Sequence, residues 1–140
     1  MKHWYTTAVI GEQEDGSRYT VCTQKFFVDD ERVLVNLADV FINAGVGVSG
    51  TPLRAYIARN SVGMVDDKGV RMPMAPVDQA TQIVMGALST GYGEHVNIQD
   101  AMAYMIHLTN VLAKNALAAY LAEAPVIPSD AEGSQGDDGP

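Results

Sequence analysis

The residues from Ile98 to Glu123 carry more apolar side chains than one helix face can hold. Asn97 stands where an N-cap is needed, with Asp100 three residues on in a variant capping box. Val96 and Ala101 can form the hydrophobic staple, and Pro125 stops the element. On a wheel of 100° per residue, Gln99, Asp100, Ala103, His107, Asn110 and Lys114 share about 100° of arc. The remaining arc is largely apolar, interrupted by Thr109, Asn115 and Glu123. A helix resting on one neighbour needs a stripe only slightly wider than about 100°, so this one has to be covered from two directions. A sheet supplies the first cover. The second is either the helix expected from Pro76 to Ser89 or the same helix of another copy, with alanines permitting close approach. The reading is a homo-oligomer, with Met102, Met105, Leu112, Ala116 and Ala119 as candidate interface residues.

The length of 140 residues and the 47% hydrophobic content suit a single core that needs neither disulfide nor metal. Cys22 is the only cysteine, so no intrachain disulfide and no multi-cysteine zinc site can form. The net charge is −8, and half of it comes from Asp130, Glu132, Asp137 and Asp138. The stretch around those acids, rich in Gly, Ser and Asp, buries too little apolar surface to offset its ordering entropy. The expected organisation is therefore one domain over 1–124 and a solvated acidic tail over 125–140. The N-terminus lacks the apolar run of a secretory signal, and Ala101 to Ala113 avoids formal charge for only 13 residues. That is short of the roughly 20 needed to cross a bilayer, so a soluble, cytoplasmic protein without membrane contact is expected.

From Trp4 to Val28 the sequence reads as a hairpin: two runs rich in Tyr, Thr, Val, Ile and Phe flank Glu14-Asp15-Gly16-Ser17. With Asp15 and Gly16 as the loop residues, Trp4 faces Phe27, Ala8 faces Thr23 and Ile10 faces Val21 on one side of the ribbon. Tyr5 faces Phe26, Thr7 faces Gln24 and Val9 faces Cys22 on the other. Both sides are partly apolar, so the second side is expected to meet another layer or another subunit. Leu34, Leu37, Ala38, Phe41 and Ile42 keep helical spacing behind Asp29-Asp30-Glu31, favouring a helix, while the β-branched residues among them also suit a strand. Leu53–Asn60 is open in the same way. Val62–Met74 reads as a second hairpin about Asp66-Asp67-Lys68-Gly69, with Gly69 at the left-handed position. Pro76 as a first helical residue and Gly91 as terminator bound a helix through Val77, Ala80, Ile83, Val84, Ala87 and Leu88. The fold class is α+β: a mainly antiparallel sheet with two C-terminal helices packed on one face.

Little in the chain points to chemistry. Gly45-Val46-Gly47-Val48-Ser49-Gly50 matches G-x-G-x-x-G, and Asp66 follows at the distance of a ribose-binding acid. A helix from Leu53 to Asn60 is too short for the crossover a dinucleotide fold requires. A looser reading keeps the loop as an anion cradle, with Gly45, Gly47 and Gly50 beside Arg54, Arg59 and Arg71 holding a small anionic, nucleotide-like ligand. The competing reading pairs these bases with Asp66, Asp67 and Asp78 at the surface. No extended basic face exists to neutralise phosphates, so direct nucleic-acid binding is not expected. His3, His95 and His107 lack ligand spacing and read as exposed side chains. Cys22 reads as a small core filler, and the methionines as fillers of irregular gaps.

No catalytic set, cofactor motif or metal site emerges, which leaves a non-catalytic structural or interaction protein as the leading expectation and the small anionic-ligand binder as the alternative. The general build, a short acidic chain with an N-terminal hairpin, paired C-terminal helices and a loose acidic end, resembles that of small viral or prophage assembly and accessory proteins. That resemblance implies other assembly proteins as partners beside the chain itself, and a virion as a second setting.

Overall fold

A computed structural model describes residues 2–12, 14–16, 18–48, 50–92 and 96–123. The acidic tail expected over 125–140 lies outside them. The strands are β1 (Trp4–Glu12), β2 (Arg18–Val28), β3 (Val33–Asn36), β4 (Val62–Val65) and β5 (Arg71–Pro76). They form one sheet in the order β1-β2-β3-β5-β4, antiparallel at every pairing. The helices are α1 (Leu37–Asn43), α2 (Thr51–Arg59), α3 (Val77–Ser89), α4 (Ile98–His107) and α5 (Ala113–Glu123), the last two joined through a π-helical turn at Leu108–Leu112.

The first hairpin keeps the expected register from Trp4↔Phe27 to Val9↔Cys22. There the register steps by one, so Ile10 pairs with Thr20 rather than Val21. A β-bulge of this kind absorbs one extra residue on the longer strand. The last pair is Glu12↔Arg18, so the connection is longer than the two-residue turn expected at Asp15-Gly16.

Val33–Ile42 is neither all helix nor all strand. Val33–Asn36 pairs with β2 on one side and β5 on the other, and Leu37 opens a helix. The switch sits at Asn36, whose side-chain oxygen accepts from the backbone N–H of Ala38 (3.0 Å) and of Asp39 (3.4 Å). Asp29, Asp30 and Glu31 therefore do not front a helix; they form the β2–β3 turn, where the Asp29 carboxylate accepts from the N–H groups of Glu31 and Arg32. Because β3 ends so early, part of the β2 edge would be left bare. Two α1 side chains close it: Asp39 accepts from the Lys25 N–H (2.9 Å) and Asn43 donates to the Thr23 carbonyl (3.2 Å).

Tyr5, Phe26, Val35 and Ala75 make one cross-strand row, and all are buried. The core is built on that face from α1 Leu37, Val40 and Phe41, α3 Ala80 and Val84, and the buried stripe of the C-terminal helices. Pro76 ends β5 and caps α3, which begins one residue later than expected, at Val77. Leu53–Asn60 resolves as helix, because Leu53 and Ile57 reach the core from α2. On the reverse of the sheet, the Trp4 ring meets Phe27 edge-on and Lys25 lies over it while pairing with Asp66 and Asp67 (3.5 Å each). The β4–β5 turn holds Gly69 at φ +82°, as its sequence requires.

Helices α2 and α3 touch at a point that tolerates no extra carbon. The Tyr56 hydroxyl donates to the Ile83 carbonyl (2.9 Å), and a Cβ on Gly86 would lie 2.6 Å from that hydroxyl. Gly86→Ala ordinarily gains up to about 1 kcal/mol of helix propensity. Here it is expected to cost about 1–2 kcal/mol through overpacking. In a Tyr56→Phe background the same change should become neutral or stabilising. A double-mutant cycle in urea checks this, and a stabilised Gly86→Ala single variant would show that Tyr56 yields freely.

Candidate functional site

The glycine-rich string lies between two helices. Gly45 has φ +88° and follows α1; its N–H reaches the Ile42 carbonyl (3.0 Å) and the Val46 N–H reaches the Phe41 carbonyl (2.8 Å). This is a Schellman closure, and Val46 is buried behind it. Gly47 is exposed, and Gly50 is the N-cap of α2. A dinucleotide fingerprint would follow a strand, whereas this string follows a helix, so the match is helix punctuation. Asp66 likewise serves the backbone around it, because its carboxylate accepts from the N–H groups of Lys68 (2.9 Å) and Val70 (2.8 Å) and organises the β4–β5 turn.

Arg54, Arg59 and Arg71 are all exposed. Arg59 closes α2 with its guanidinium over the Tyr56 ring, 5.9 Å from the centroid. Arg71 lies across Gly63 of β4, where a Cβ would come within 2.5 Å of its terminal nitrogen. None of these three arginines pairs with Asp66, Asp67 or Asp78; Lys25 engages Asp66 and Asp67 instead. Arg54 stands at an apolar hollow with Val48, while Arg71 lines a second hollow alongside. The three arginines thus share one end of the molecule, but Gly45 and Gly50 serve the ends of α1 and α2.

Of the histidines, His107 is exposed at the end of α4, and His95 lies outside the described residues. His3 departs from expectation: it is half-buried, its Nδ1 bonds the Val28 carbonyl (2.8 Å), and its ring packs between Phe27 and Tyr120. Cys22 sits on β2 opposite Val9. Among the described residues, no group of three His, Cys, Asp or Glu side chains could hold a metal ion, and no helix is long and apolar enough to cross a membrane.

A hollow of about 540 Å³ is lined by the β2–β3 turn, the start of α3 and Leu117. There Tyr120 donates its hydroxyl to Asp30, tying α5 to the turn. That carboxylate, with burial, pushes the Tyr120 phenol up to about 12; burial, with Glu123 nearby, does the same for Tyr5. Backbone N–H groups hold the Asp29 and Asp66 carboxyls below the usual range, whereas burial raises Asp39. A raised phenol favours the neutral form in the fold, so its contribution is complete below the unfolded pKa of about 10 and fades as pH climbs toward the folded value. A depressed carboxyl contributes above its unfolded pKa of about 3.9 and is lost as pH falls through the folded value. The melting temperature is therefore expected to drop on the alkaline side from about pH 10. In a Tyr5→Phe, Tyr120→Phe variant that alkaline drop should be shallower, and an unchanged slope would remove these phenols from the account.

The C-terminal helices divide their apolar residues between two stripes. Ala101, Tyr104, Met105, Leu108, Leu112, Ala113, Ala116 and Tyr120 are buried. Of the expected interface residues, Met105, Leu112 and Ala116 belong to this inner stripe, where their own chain already covers them. Met102 and Ala119 are half-buried. A second row stays outside: Ile98 and Ile106 are 52% and 55% exposed, and Leu117 and Leu121 are 38% and 62%. In an uninterrupted α-helix, Leu117 and Leu121 would drift away from the line of Ile98, Met102 and Ile106. The π turn holds one extra residue and turns α5 back by roughly 100°, which realigns both the inner and the outer stripe. The sequence wheel missed this because it assumed an unbroken α period. No family model matches the chain, and no match to it is found among curated proteins or solved structures.

Proposed function

We propose that the chain is an interaction protein that assembles with copies of itself through the outer row of its C-terminal helices. The observation that carries this reading is the alignment of Ile98, Met102, Ile106, Leu117 and Leu121 along one side of the helix. At about 1.5 Å per residue the row spans on the order of 35 Å. Isolated exposed leucines need no explanation, but two apolar groups on one side of a small chain, Ile98, Met102 and Ile106 before the π turn and Leu117 and Leu121 after it, favour an interaction surface. Thr109, within the row, returns its hydroxyl to the Met105 carbonyl (3.0 Å), so its polar group makes no demand on a partner. A second copy laid antiparallel on the first brings the same row against itself, the self-complementary arrangement of a two-fold dimer.

Sedimentation velocity tests the proposal. The native chain is expected to run heavier than its 15.0 kDa monomer. Ile106→Lys with Leu117→Lys should return it to monomer mass with an unchanged circular dichroism spectrum, since both side chains are exposed. A native chain that stays monomeric at tens of micromolar overturns the reading.

A further inference from the structure

We propose that the groove between α2 and the β4–β5 hairpin binds a small amphipathic carboxylate, an apolar body with one anionic head. This site is separate from the helical row, and the inference stands whether or not the chain self-associates.

The groove begins as a hollow of about 260 Å³ walled by Ala38, Val48, Ile57, Ala58 and Pro73, with Arg54 as the charged residue among its described walls. That volume falls just below the roughly 300–1,000 Å³ typical of ligand pockets, which sets the size of the occupant. Ala58 and Pro73 also line the adjoining hollow, and Arg71 stands in that second one. In a chain of net charge −8, two cations flank an apolar trough, and neither has a carboxylate within ion-pair distance among the described residues. The acids nearest in sequence to Arg71 are engaged by Lys25. Gly63 keeps the Arg71 guanidinium laid over the strand, because a side chain there would displace it.

These features select the ligand's chemistry. Beside Arg54, the walls of the first hollow offer aliphatic carbon and almost no hydrogen-bonding groups, so a sugar or a nucleobase there would lose its hydration without replacement. An alkyl or aryl body loses nothing there, and a guanidinium at the mouth offers a planar fork to a carboxylate. The occupant is therefore greasier than a nucleotide, and its head meets Arg54 rather than the glycine loop.

The probe is sodium octanoate, with 1-octanol as its uncharged counterpart, followed by isothermal titration calorimetry and by backbone amide shifts. Octanoate is expected to bind at or below about 1 mM and to shift amides of Ile57, Ala58 and Met74. Octanol and the Arg54→Ala variant should each bind about tenfold more weakly, since both lose the charge-assisted pair. Arg54→Lys should fall between, keeping charge without the fork. Ala58→Phe fills the trough and should abolish binding, while Ile106→Lys, on the helical row, should leave it intact. Absence of octanoate binding, binding unchanged in Arg54→Ala, or binding lost in Ile106→Lys would each overturn the proposal.

Discussion

Gln24→Ala is expected to lower the unfolding free energy by about 3–4 kcal/mol, from a cavity and from polar groups deprived of their partner. Gln24 is fully buried on the core face of β2. Its amide nitrogen donates to the Asn36 carbonyl (3.1 Å), and its amide oxygen accepts from the Tyr104 hydroxyl (2.7 Å) and from Asn43 (3.3 Å). Asn43 also donates to the Tyr104 hydroxyl (3.0 Å). One amide thus ties β2 to the end of β3, to α1 and to α4, across sequence separations that no local pattern reveals. Buried networks of this kind cost most when partly broken. Tyr104→Phe removes a single hydroxyl and should cost about 1–2 kcal/mol. The double variant should cost less than the sum, because both changes sever the same bond. Urea denaturation checks all three, and a Gln24→Ala loss below about 1 kcal/mol would mean that the surrounding groups find other partners.

Phe41→Ala is expected to cost about 3–5 kcal/mol, the range for a large aromatic removed from a well-packed interior. Phe41 has no exposed surface and lies in α1 against the sheet core. Its carbonyl accepts the Val46 N–H that closes the helix, and Val46 is buried in the same cluster. Truncation therefore opens a cavity and also strips the apolar contact that steadies the turn at Gly45. Leu121→Ala is the contrast. That side chain is 62% exposed, so stability should move by no more than about 0.5 kcal/mol while self-association weakens. A Phe41→Ala variant as stable as the native chain would displace α1 from the centre of the core.

Elements governed by neighbours in sequence were legible beforehand. The first hairpin's register up to Val9↔Cys22, the Asp66–Gly69 turn and the Asn97 cap all follow from local chemistry. The candidate site was less legible. Arg54 and Arg71 could be named from the sequence, but the apolar trough between them needs Ala38, Val48 and Pro73 to converge from three parts of the chain. The glycine string suggested a ligand because its spacing is shared by phosphate loops and by a helix cap followed by a helix start. Only the backbone conformation separates the two.

By itself the sequence determined the α+β class, the two hairpins, the helix boundaries marked by caps and breakers, and a last helix with too much apolar surface for one face. The tertiary structure decided where Val33–Asn43 changes from strand to helix, because β2 and β5 between them pair only the four residues Val33–Asn36, the last of which caps the chain into α1. It also decided which apolar residues of the last helix face inward, because one extra residue in the π turn resets a helical phase that a wheel takes as constant. In both cases local preference is worth a few tenths of a kcal/mol per residue, and packing against distant strands outweighs it.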